Sequence, residues 1–191
     1  MNIVSISGSP SLRSRSAWLL QLAQTRLEGM ARQHHTIAVR ELPAAALVHA
    51  EFDAAPIRAA TQRVREADLL IVATPIYKAA YSGLLKIFLD LLPTDILRGK
   101  TVLPLATGGS LGHFLALDYA LKPVLAALGA RDILDGVFAT DHQLAAHESG
   151  GYVPDDALVE RLDRALQPLI SRQLLSRPEA QHHANTASHP Q

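Results

Sequence analysis

The chain has 191 residues, 48% hydrophobic and 19% charged, which is enough apolar material for one domain with a sizeable core. Its 18 basic and 18 acidic residues give a formal net charge of zero, so we expect neither a nucleic-acid nor a membrane partner. Cysteine is absent, which excludes disulfides, a thiol nucleophile and zinc–thiolate sites. We expect a cytoplasmic location, because no basic residue precedes Arg13 as a signal peptide would require, and the lack of cysteine fits a reducing compartment.

Short apolar runs typical of buried strands alternate along the chain with amphipathic stretches typical of helices. The predicted strands are Ile3–Ser7, a weaker Thr36–Arg40, Leu69–Thr74, Thr101–Ala106 and Ile133–Phe138. The predicted helices are Ser16–Ala31, Ala55–Glu66, Ser82–Leu92, Leu111–Leu128 and Pro154–Leu174. This alternation predicts an α/β fold in which helices cover both faces of a doubly wound, five-stranded parallel sheet.

The predicted domain covers residues 1–175. Residues 176–191 are rich in His, Ala, Ser, Pro and Gln without apolar periodicity, which predicts a disordered tail. His182 and His183 in this tail leave metal binding open as an alternative to a solvated segment.

A doubly wound sheet binds its ligand beyond the carboxyl ends of its strands, which places three loops at the candidate site. The first loop, Gly8–Arg15, leads into a predicted helix. The loop and the first helical residue together contain four serines, Ser9, Ser11, Ser14 and Ser16, and two arginines. Hydroxyls, guanidinium groups and the free amides of a helix N-terminus favour a phosphate, although a simple helix cap is the alternative. The loop lacks the Gly-Lys of a Walker motif and the three glycines of a dinucleotide fingerprint, so a mononucleotide such as FMN fits best.

The other two loops are suited to a flat heterocycle. Pro75–Tyr81 offers two tyrosines and backbone amides, and Thr107–Gly112 offers paired glycines that allow close backbone approach. Either could also be an ordinary strand–helix connection. The third loop contains a formal G-x-S-x-G around Ser110, followed by acidic residues and histidines, so a serine hydrolase is an alternative function.

The predicted helix Leu111–Leu128 contains Pro123, which cannot bond to the carbonyl of Tyr119. A kink or a π-bulge can accommodate the freed carbonyl, and π-bulges often mark functional sites. The same helix is apolar around most of its circumference, which predicts a homodimer or homotetramer.

These residues together resemble the flavodoxin-like NAD(P)H-dependent FMN reductases, most closely the reductase component of two-component alkanesulfonate monooxygenase systems. The resemblance runs from Ile3 to about Leu166. It is carried by Gly8-Ser9-Pro10 with Ser14-Arg15-Ser16, by ATPIYKAAYSG at 73–83 with Leu85-Lys86 and DLLP at 90–93, by LPLATGG at 103–109 and by LDYALKPVL at 117–125. The family often has an acidic residue where this chain has Ile76.

The resemblance implies strand order 2-1-3-4-5, hydride transfer from NADPH to FMN, and delivery of reduced flavin to a partner monooxygenase that desulfonates alkanesulfonates for sulfur acquisition. It places the phosphate on Ser9, Ser14, Arg15 and Ser16, one side of the isoalloxazine on Pro75, Ile76, Tyr77 and Lys78, and its pyrimidine edge on Thr107, Gly108, Gly109 and Ser110. It also implies a π-helix centred on Tyr119 at a subunit interface near the flavin. We expect no catalytic side chain and no metal ligand, because the flavin itself accepts the electrons.

Two further functions of the same fold remain alternatives. One is a reductase that retains its FMN and reduces quinones or azo compounds. The other is a flavodoxin-like electron carrier, which the neutral charge of this chain disfavours because such carriers tend to be acidic.

Overall fold

The computed structural model of the chain describes residues 1–176, with side chains through Arg172. The strands are β1 (Asn2–Ser7), β2 (Gln33–Ala38), β3 (Leu69–Tyr77), β4 (Ala80–Tyr81), β5 (Thr101–Gly108), β6 (Asp132–Ile133), β7 (Val137–Thr140), β8 (Leu144–Ala146) and β9 (Tyr152–Pro154). The α-helices are α1 (Arg15–Leu27), α2 (Ala44–Val48), α3 (Ala55–Glu66), α4 (Gly83–Asp90), α5 (Lys122–Ala127) and α6 (Asp156–Ser176). A π-helix spans Leu117–Leu121, and 3-10 turns lie at Glu28–Met30, Val39–Glu41 and Leu111–His113.

The main sheet has the order β2-β1-β3-β5-β6, and β7 continues alongside β5 where β6 stops. All of these neighbours pair in parallel. In terms of the five predicted strands this is the order 2-1-3-4-5, so the predicted sheet is confirmed. The order reverses between β1 and β3, and this switch point is where such sheets bind ligands.

Each face of the sheet has its own apolar core, as expected for parallel strands that are covered on both sides. One core joins the sheet to α3, α4 and α5 and includes the fully buried Phe88. The other joins it to α1 and α6. None of the helices described here is long and apolar enough to cross a lipid bilayer.

The fifth predicted strand is split into β6 and β7. Ile133 pairs with Val102 and Val137 with Leu105, so three residues lie between the pairs on one strand and only two on its neighbour. Such an extra residue interrupts the ladder in the manner of a β-bulge. The break lies beside Pro104, which has no amide hydrogen to donate.

The predicted helical stretch Leu111–Leu128 is divided into three pieces. This segment is a 3-10 turn, then the π-helix, then α5, with Pro123 in the first turn of α5 where a missing N–H is tolerated. The last helix, α6, extends to Ser176, the first residue of the predicted tail. The remainder of that tail, including His182 and His183, lies outside the described residues.

Candidate functional site

A cleft of about 270 Å³ opens at the carboxyl ends of β1, β3 and β5, beside the switch point. Nine of the twelve predicted cofactor-binding residues line it: Ser9, Ser14, Arg15, Pro75, Ile76, Tyr77, Thr107, Gly108 and Gly109. The lining also includes four residues that were not among the predicted ones: Ser11, Arg13, Asp141 and Tyr152. The sheet therefore brings together the three loops that were selected from the sequence.

The first loop is ordered by its own hydroxyl groups. Ser14 is the N-cap of α1, and its Oγ accepts a hydrogen bond from the Ala17 amide at 3.3 Å. The same Oγ lies 2.9 Å from the Oγ of Ser16, which is buried and does not line the cleft. Ser9 Oγ accepts from the Ser11 amide at 3.2 Å, which leaves its own hydrogen free to donate. The loop thus presents hydroxyl donors beside the unpaired amides of a helix N-terminus.

Gly8 fixes this loop against the second one. A Cβ on Gly8 would lie 2.6 Å from Leu85 Cβ, so no larger residue fits between β1 and α4. The Ser82 hydroxyl, which caps α4 by accepting from the Leu85 amide at 3.1 Å, donates to the Gly8 carbonyl. Two of the three loops are therefore held together by backbone packing and one buried hydroxyl.

The second loop is a tight hairpin between β3 and β4. Lys78 and Ala79 form its turn with φ of 50° and 65°, and Lys78 therefore lies outside the cleft lining. Thr74 Oγ accepts from the Ser82 amide at 3.0 Å and closes the base of the hairpin. Tyr77 is half exposed at the cleft, where it presents an aromatic face.

Two pKa values are shifted beside this hairpin. Burial raises the pKa of the Tyr81 phenol, which stays protonated at neutral pH. A hydrogen bond from Lys86 Nζ to Asp90, at 2.6 Å, raises the pKa of the lysine and keeps it charged. Neither residue lines the cleft, so both support the hairpin from outside.

The third loop contributes mostly backbone. Thr107 and Gly108 end β5, and no atom lies within 4 Å of where a Cβ on Gly109 would stand, so this side of the cleft is open main chain. Ser110 is exposed and does not line the cleft. Its backbone is extended, with φ −145° and ψ 154°, and leads into a 3-10 turn.

That conformation does not support the hydrolase alternative. A nucleophile elbow needs a strained turn that leads straight into an α-helix. His147, one of the candidate bases, has its Nδ1 2.7 Å from Ser149 Oγ. The segment at Ser110 therefore has the G-x-S-x-G sequence but not the backbone of a nucleophile elbow.

Arg15 connects the first loop to the segment after β7 by three contacts, two of them with the β8–β9 hairpin. Its Nε donates to the Leu144 carbonyl at 3.0 Å, its guanidinium lies 5.0 Å from the centre of the Tyr152 ring, and one terminal nitrogen is 3.5 Å from Asp141 Oδ1. The β8–β9 hairpin was not predicted from the sequence, because its strands have only three residues each. The consecutive glycines at 150 and 151, both with positive φ, were the available signal for it.

The π-helix predicted around Tyr119 is present. The Lys122 amide bonds to the Leu117 carbonyl five residues back, while Pro123 provides no amide for the carbonyl of Tyr119. Tyr119 is 79% exposed, so it is not the half-buried core residue that a simple kink would produce. Leu111, Phe114 and Leu115, earlier in the same segment, are also exposed, and these three side chains with Tyr119 are here named the exposed apolar surface.

Comparison with known proteins matches the chain to a family. A family model described as NADPH-dependent FMN reductase matches residues 1–145. The chain belongs to the NADPH-dependent FMN reductase family. It is 51% identical over 170 residues to an FMN reductase (NADPH) of Pseudomonas putida, covering 87% of this chain and 85% of the relative. It is 48% identical over 168 residues to an FMN reductase (NADPH) of Escherichia coli, covering 87% of each chain.

Solved structures agree on the fold. A crystal structure of an NADH:FMN oxidoreductase in its apo form superposes with a TM-score of 0.80 and 40% identity, over 95% of this chain and 94% of that one. A flavodoxin from Streptococcus pneumoniae superposes with a TM-score of 0.60 over 90% of this chain and 98% of that one. At 14% identity the second likeness shows only the fold, which is flavodoxin-like.

The donor set of the cleft suits a flavin mononucleotide better than a metal ion. One end has serine hydroxyls, helix amides and arginines, which are phosphate ligands, and the other has an aromatic side chain, a proline and bare glycine backbone. Among residues 1–172, no group of three or more histidine, aspartate or glutamate side chains is placed to hold a metal ion.

Proposed function

We propose that this protein transfers a hydride from NADPH to FMN and supplies the reduced flavin to a separate monooxygenase that desulfonates alkanesulfonates. The observation that carries the proposal is the meeting, in one cleft, of a serine- and arginine-lined phosphate end with a flat, glycine-edged ring end. The relatives at about 50% identity, both named FMN reductase (NADPH), support the same reaction.

The phosphate end is formed by Ser9, Ser14 and Arg15. Hydrogen bonds from hydroxyl or guanidinium groups to a phosphate are charge-assisted and contribute about 1.5–3 kcal/mol each. Ser16 acts through Ser14, since the two Oγ atoms are in contact and Ser16 does not reach the cleft. Its role is to hold the Ser14 hydroxyl in position.

The ring end is formed by the second and third loops. Pro75, Ile76 and Tyr77 line one side, and the main chain of Thr107–Gly109 lines the other. Lys78 and Ser110 contribute through the turns that they shape, because neither side chain lines the cleft. Ile76 is neutral at the position where the resembling family often has an acidic residue, and it keeps the ring environment apolar.

When bound, FMN supplies a planar acceptor for the hydride of NADPH, so the chemistry needs no acid or base from the protein. The residues of this chain orient the two reactants. The buried serines and Arg15 fix the anionic end, and the half-exposed Tyr77 leaves one side of the cleft open to a second planar molecule. The amide dipoles of the Gly108 region complement charge at the ring edge.

NADPH is the preferred donor in this proposal. Two relatives named for NADPH share about half of their residues with this chain, whereas a Pseudomonas putida relative named an NADH-dependent FMN reductase shares 33% and a third relative named for NADPH shares 32%. Arg13 is the group for the extra 2′-phosphate of NADPH. It is exposed where the cleft joins a second cavity of about 640 Å³ that is also lined by Trp18 and Tyr152.

The exposed apolar surface of Leu111, Phe114, Leu115 and Tyr119 is the proposed subunit interface of a homodimer or homotetramer. Three of these side chains are more than half exposed, and together they form an apolar patch beside the third loop. Patches of this kind usually mark protein contacts. Its position would bring a second subunit close to the ring end of the cleft.

Steady-state oxidation of NADPH and NADH with added FMN, FAD or riboflavin tests the reaction. We expect saturable turnover that depends on added FMN and is faster with NADPH at equal concentration. Turnover only after addition of a quinone or azo dye would instead show a reductase that retains its flavin. A lack of turnover with any acceptor would indicate an electron carrier.

The partner is tested by coupling. Reduced flavin made by this protein should support sulfite release from an alkanesulfonate when a flavin-dependent monooxygenase of the same organism is added. Added catalase and free FMN serve as controls for peroxide and for non-enzymatic reduction. Failure to support sulfite release, with flavin reduction intact, would refute the partner but not the reductase.

A further inference from the structure

The phosphate end of the cleft contains a carboxylate as well as cations. Asp141 lines the same cleft as Ser9, Ser14 and Arg15, and its Oδ1 lies 3.5 Å from a terminal nitrogen of Arg15. Its side chain is 52% exposed and therefore stays accessible to solvent and to a ligand. An anion at this position is unexpected in a site whose other groups all attract a phosphate.

Asp141 is held where it is by the main chain. Its amide donates to the Gly108 carbonyl at 3.2 Å, at the point where β7 ends beside β5. The backbone of Asp141 is thus fixed beside the third loop, and this position places its carboxylate within reach of Arg15.

The guanidinium of Arg15 therefore has two competing anions. Its Nε is committed to the Leu144 carbonyl and its face to Tyr152, which leaves the terminal nitrogens to bind either Asp141 or a phosphate. Like charges close to each other oppose binding, so a carboxylate beside a bound phosphate weakens it.

We propose that Asp141 is a positioning residue that competes with the FMN phosphate for Arg15 and so sets how quickly flavin leaves. This inference rests on the proposed function, because a protein that hands flavin to a partner must release it. Asp141 lowers the affinity for the phosphorylated flavin and leaves the affinity for the ring unchanged.

The test compares FMN with riboflavin, which has the same ring without the phosphate. Dissociation constants are measured by quenching of flavin fluorescence and dissociation rates by stopped flow, for the full chain and for Asp141→Asn. We expect FMN to bind roughly three- to fivefold tighter to the variant, which is the size of effect of a half-exposed ion pair. Most of the change should appear in the dissociation rate, and riboflavin affinity should be unchanged.

Asp163→Asn is the matched control. Asp163 pairs with Arg26 at 2.9 Å on the same helix as Arg15, its side chain is similarly exposed, and it does not line the cleft. The variant makes the same change in net charge, so it should leave the ratio of FMN to riboflavin affinity at the wild-type value. A shift equal to that of Asp141→Asn would show only a general charge effect and overturn the proposal.

The combination with Arg15→Gln tests whether Asp141 acts through the arginine. In that background the tightening caused by Asp141→Asn should fall below twofold, because the competition has been removed. Tightening that persists undiminished would overturn the competition, and so would weaker FMN binding by Asp141→Asn alone.

Riboflavin also separates failure of this inference from failure of the proposed function. If the wild-type chain does not prefer FMN over riboflavin, the phosphate end is wrong and the proposed function fails with it. If the wild-type chain prefers FMN but Asp141→Asn tightens both flavins equally, the inference alone fails.

Discussion

The connections that follow β1 and β5 line the same cleft but are built differently. After β1 the chain caps with Ser14 and enters a regular helix of 13 residues. After β5 it passes through a 3-10 turn, a π-helix and only then a short α-helix that contains Pro123. The first connection is regular because the Ser14 side chain caps an uninterrupted α-helix. In the second connection, Pro123 lacks the amide that a continuous α-helix would need at that position.

The glycines that begin the two connections, Gly8 and Gly108, differ in how easily the atoms around them could move to admit a Cβ. A Cβ built on Gly8 would meet the Cβ of Leu85, which is part of helix α4 and cannot move without the helix backbone. Beyond Gly108 stand the ring ends of Phe138 and His113, at 3.2 and 3.4 Å from a built Cβ. The side of the cleft at Gly8, which is the proposed phosphate side, is therefore the rigid one, and the side at Gly108, the proposed ring side, is the adaptable one.

The largest expected effect would break the rigid side. Gly8→Ala forces a methyl group to 2.6 Å from Leu85 Cβ and should lower the free energy of unfolding by about 2–3 kcal/mol. Gly108→Ala meets only movable ring atoms and should cost less than about 1 kcal/mol. Urea unfolding of the two variants measures the difference, and equal costs would contradict the comparison.

Substitution of one serine on each side of the cleft, Ser14 and Ser110, compares how much the two sides contribute to FMN affinity. Ser14→Ala removes a hydroxyl from the phosphate end and should weaken FMN binding by about 2 kcal/mol, or roughly thirtyfold. Ser110→Ala, on the ring side, should weaken it by less than about threefold, because its side chain does not line the cleft. Fluorescence titration with FMN gives both values, and riboflavin binding should be much less sensitive to Ser14→Ala.

A substitution in the exposed apolar surface should affect subunit association much more than the stability of the folded subunit. Tyr119→Ala should weaken subunit association by roughly tenfold, as expected for an aromatic residue at an interface. It should change the free energy of unfolding of the isolated subunit by less than about 0.5 kcal/mol, since Tyr119 is 79% exposed. Sedimentation over a range of concentrations measures the association, and an unchanged oligomer would place the interface elsewhere.

The smallest expected effect is a pH dependence of stability that arises from His34, which contacts β1. Burial, and then the neighbouring His35, lower the pKa of His34, whose Nε2 is 2.9 Å from Ser5 Oγ in β1. A histidine with a lowered pKa in the folded state takes up its proton more readily when unfolded, so stability should fall as the pH drops below about 6.5. His34→Gln should flatten that fall, and the exposed His49→Gln should not. Thermal unfolding between pH 7.5 and 5 would show it.

Much of the fold followed from the sequence because its signals are local. Helix α3 has the predicted bounds, and the five predicted strands lie in the predicted order. Helix α2, with five residues, and the β8–β9 hairpin were missed because segments so short carry no periodicity. The loops that form the site were predicted from their composition and from the rule that such sheets bind at strand ends.

The direction of individual side chains could not be predicted in the same way. Ser16 turns into the protein to meet Ser14, and Lys78 sits at a hairpin turn, although both lie in the predicted loops. Asp141, directly after β7, and Tyr152, in the β8–β9 hairpin, reach the cleft from far along the chain. Tertiary packing determines where these side chains point, and their directions therefore cannot be predicted from the composition of a loop.

The turn at Lys78 and Ala79 has a consequence for engineering. Both residues adopt left-handed backbone conformations, which cost a residue with a side chain roughly 1–2 kcal/mol, and two-residue hairpins normally use glycine or asparagine there. The protein thus stores strain one residue away from Tyr77, outside the lining of the cleft. Ala79→Gly offers a route to a more heat-resistant protein in which every side chain that lines the cleft is unchanged.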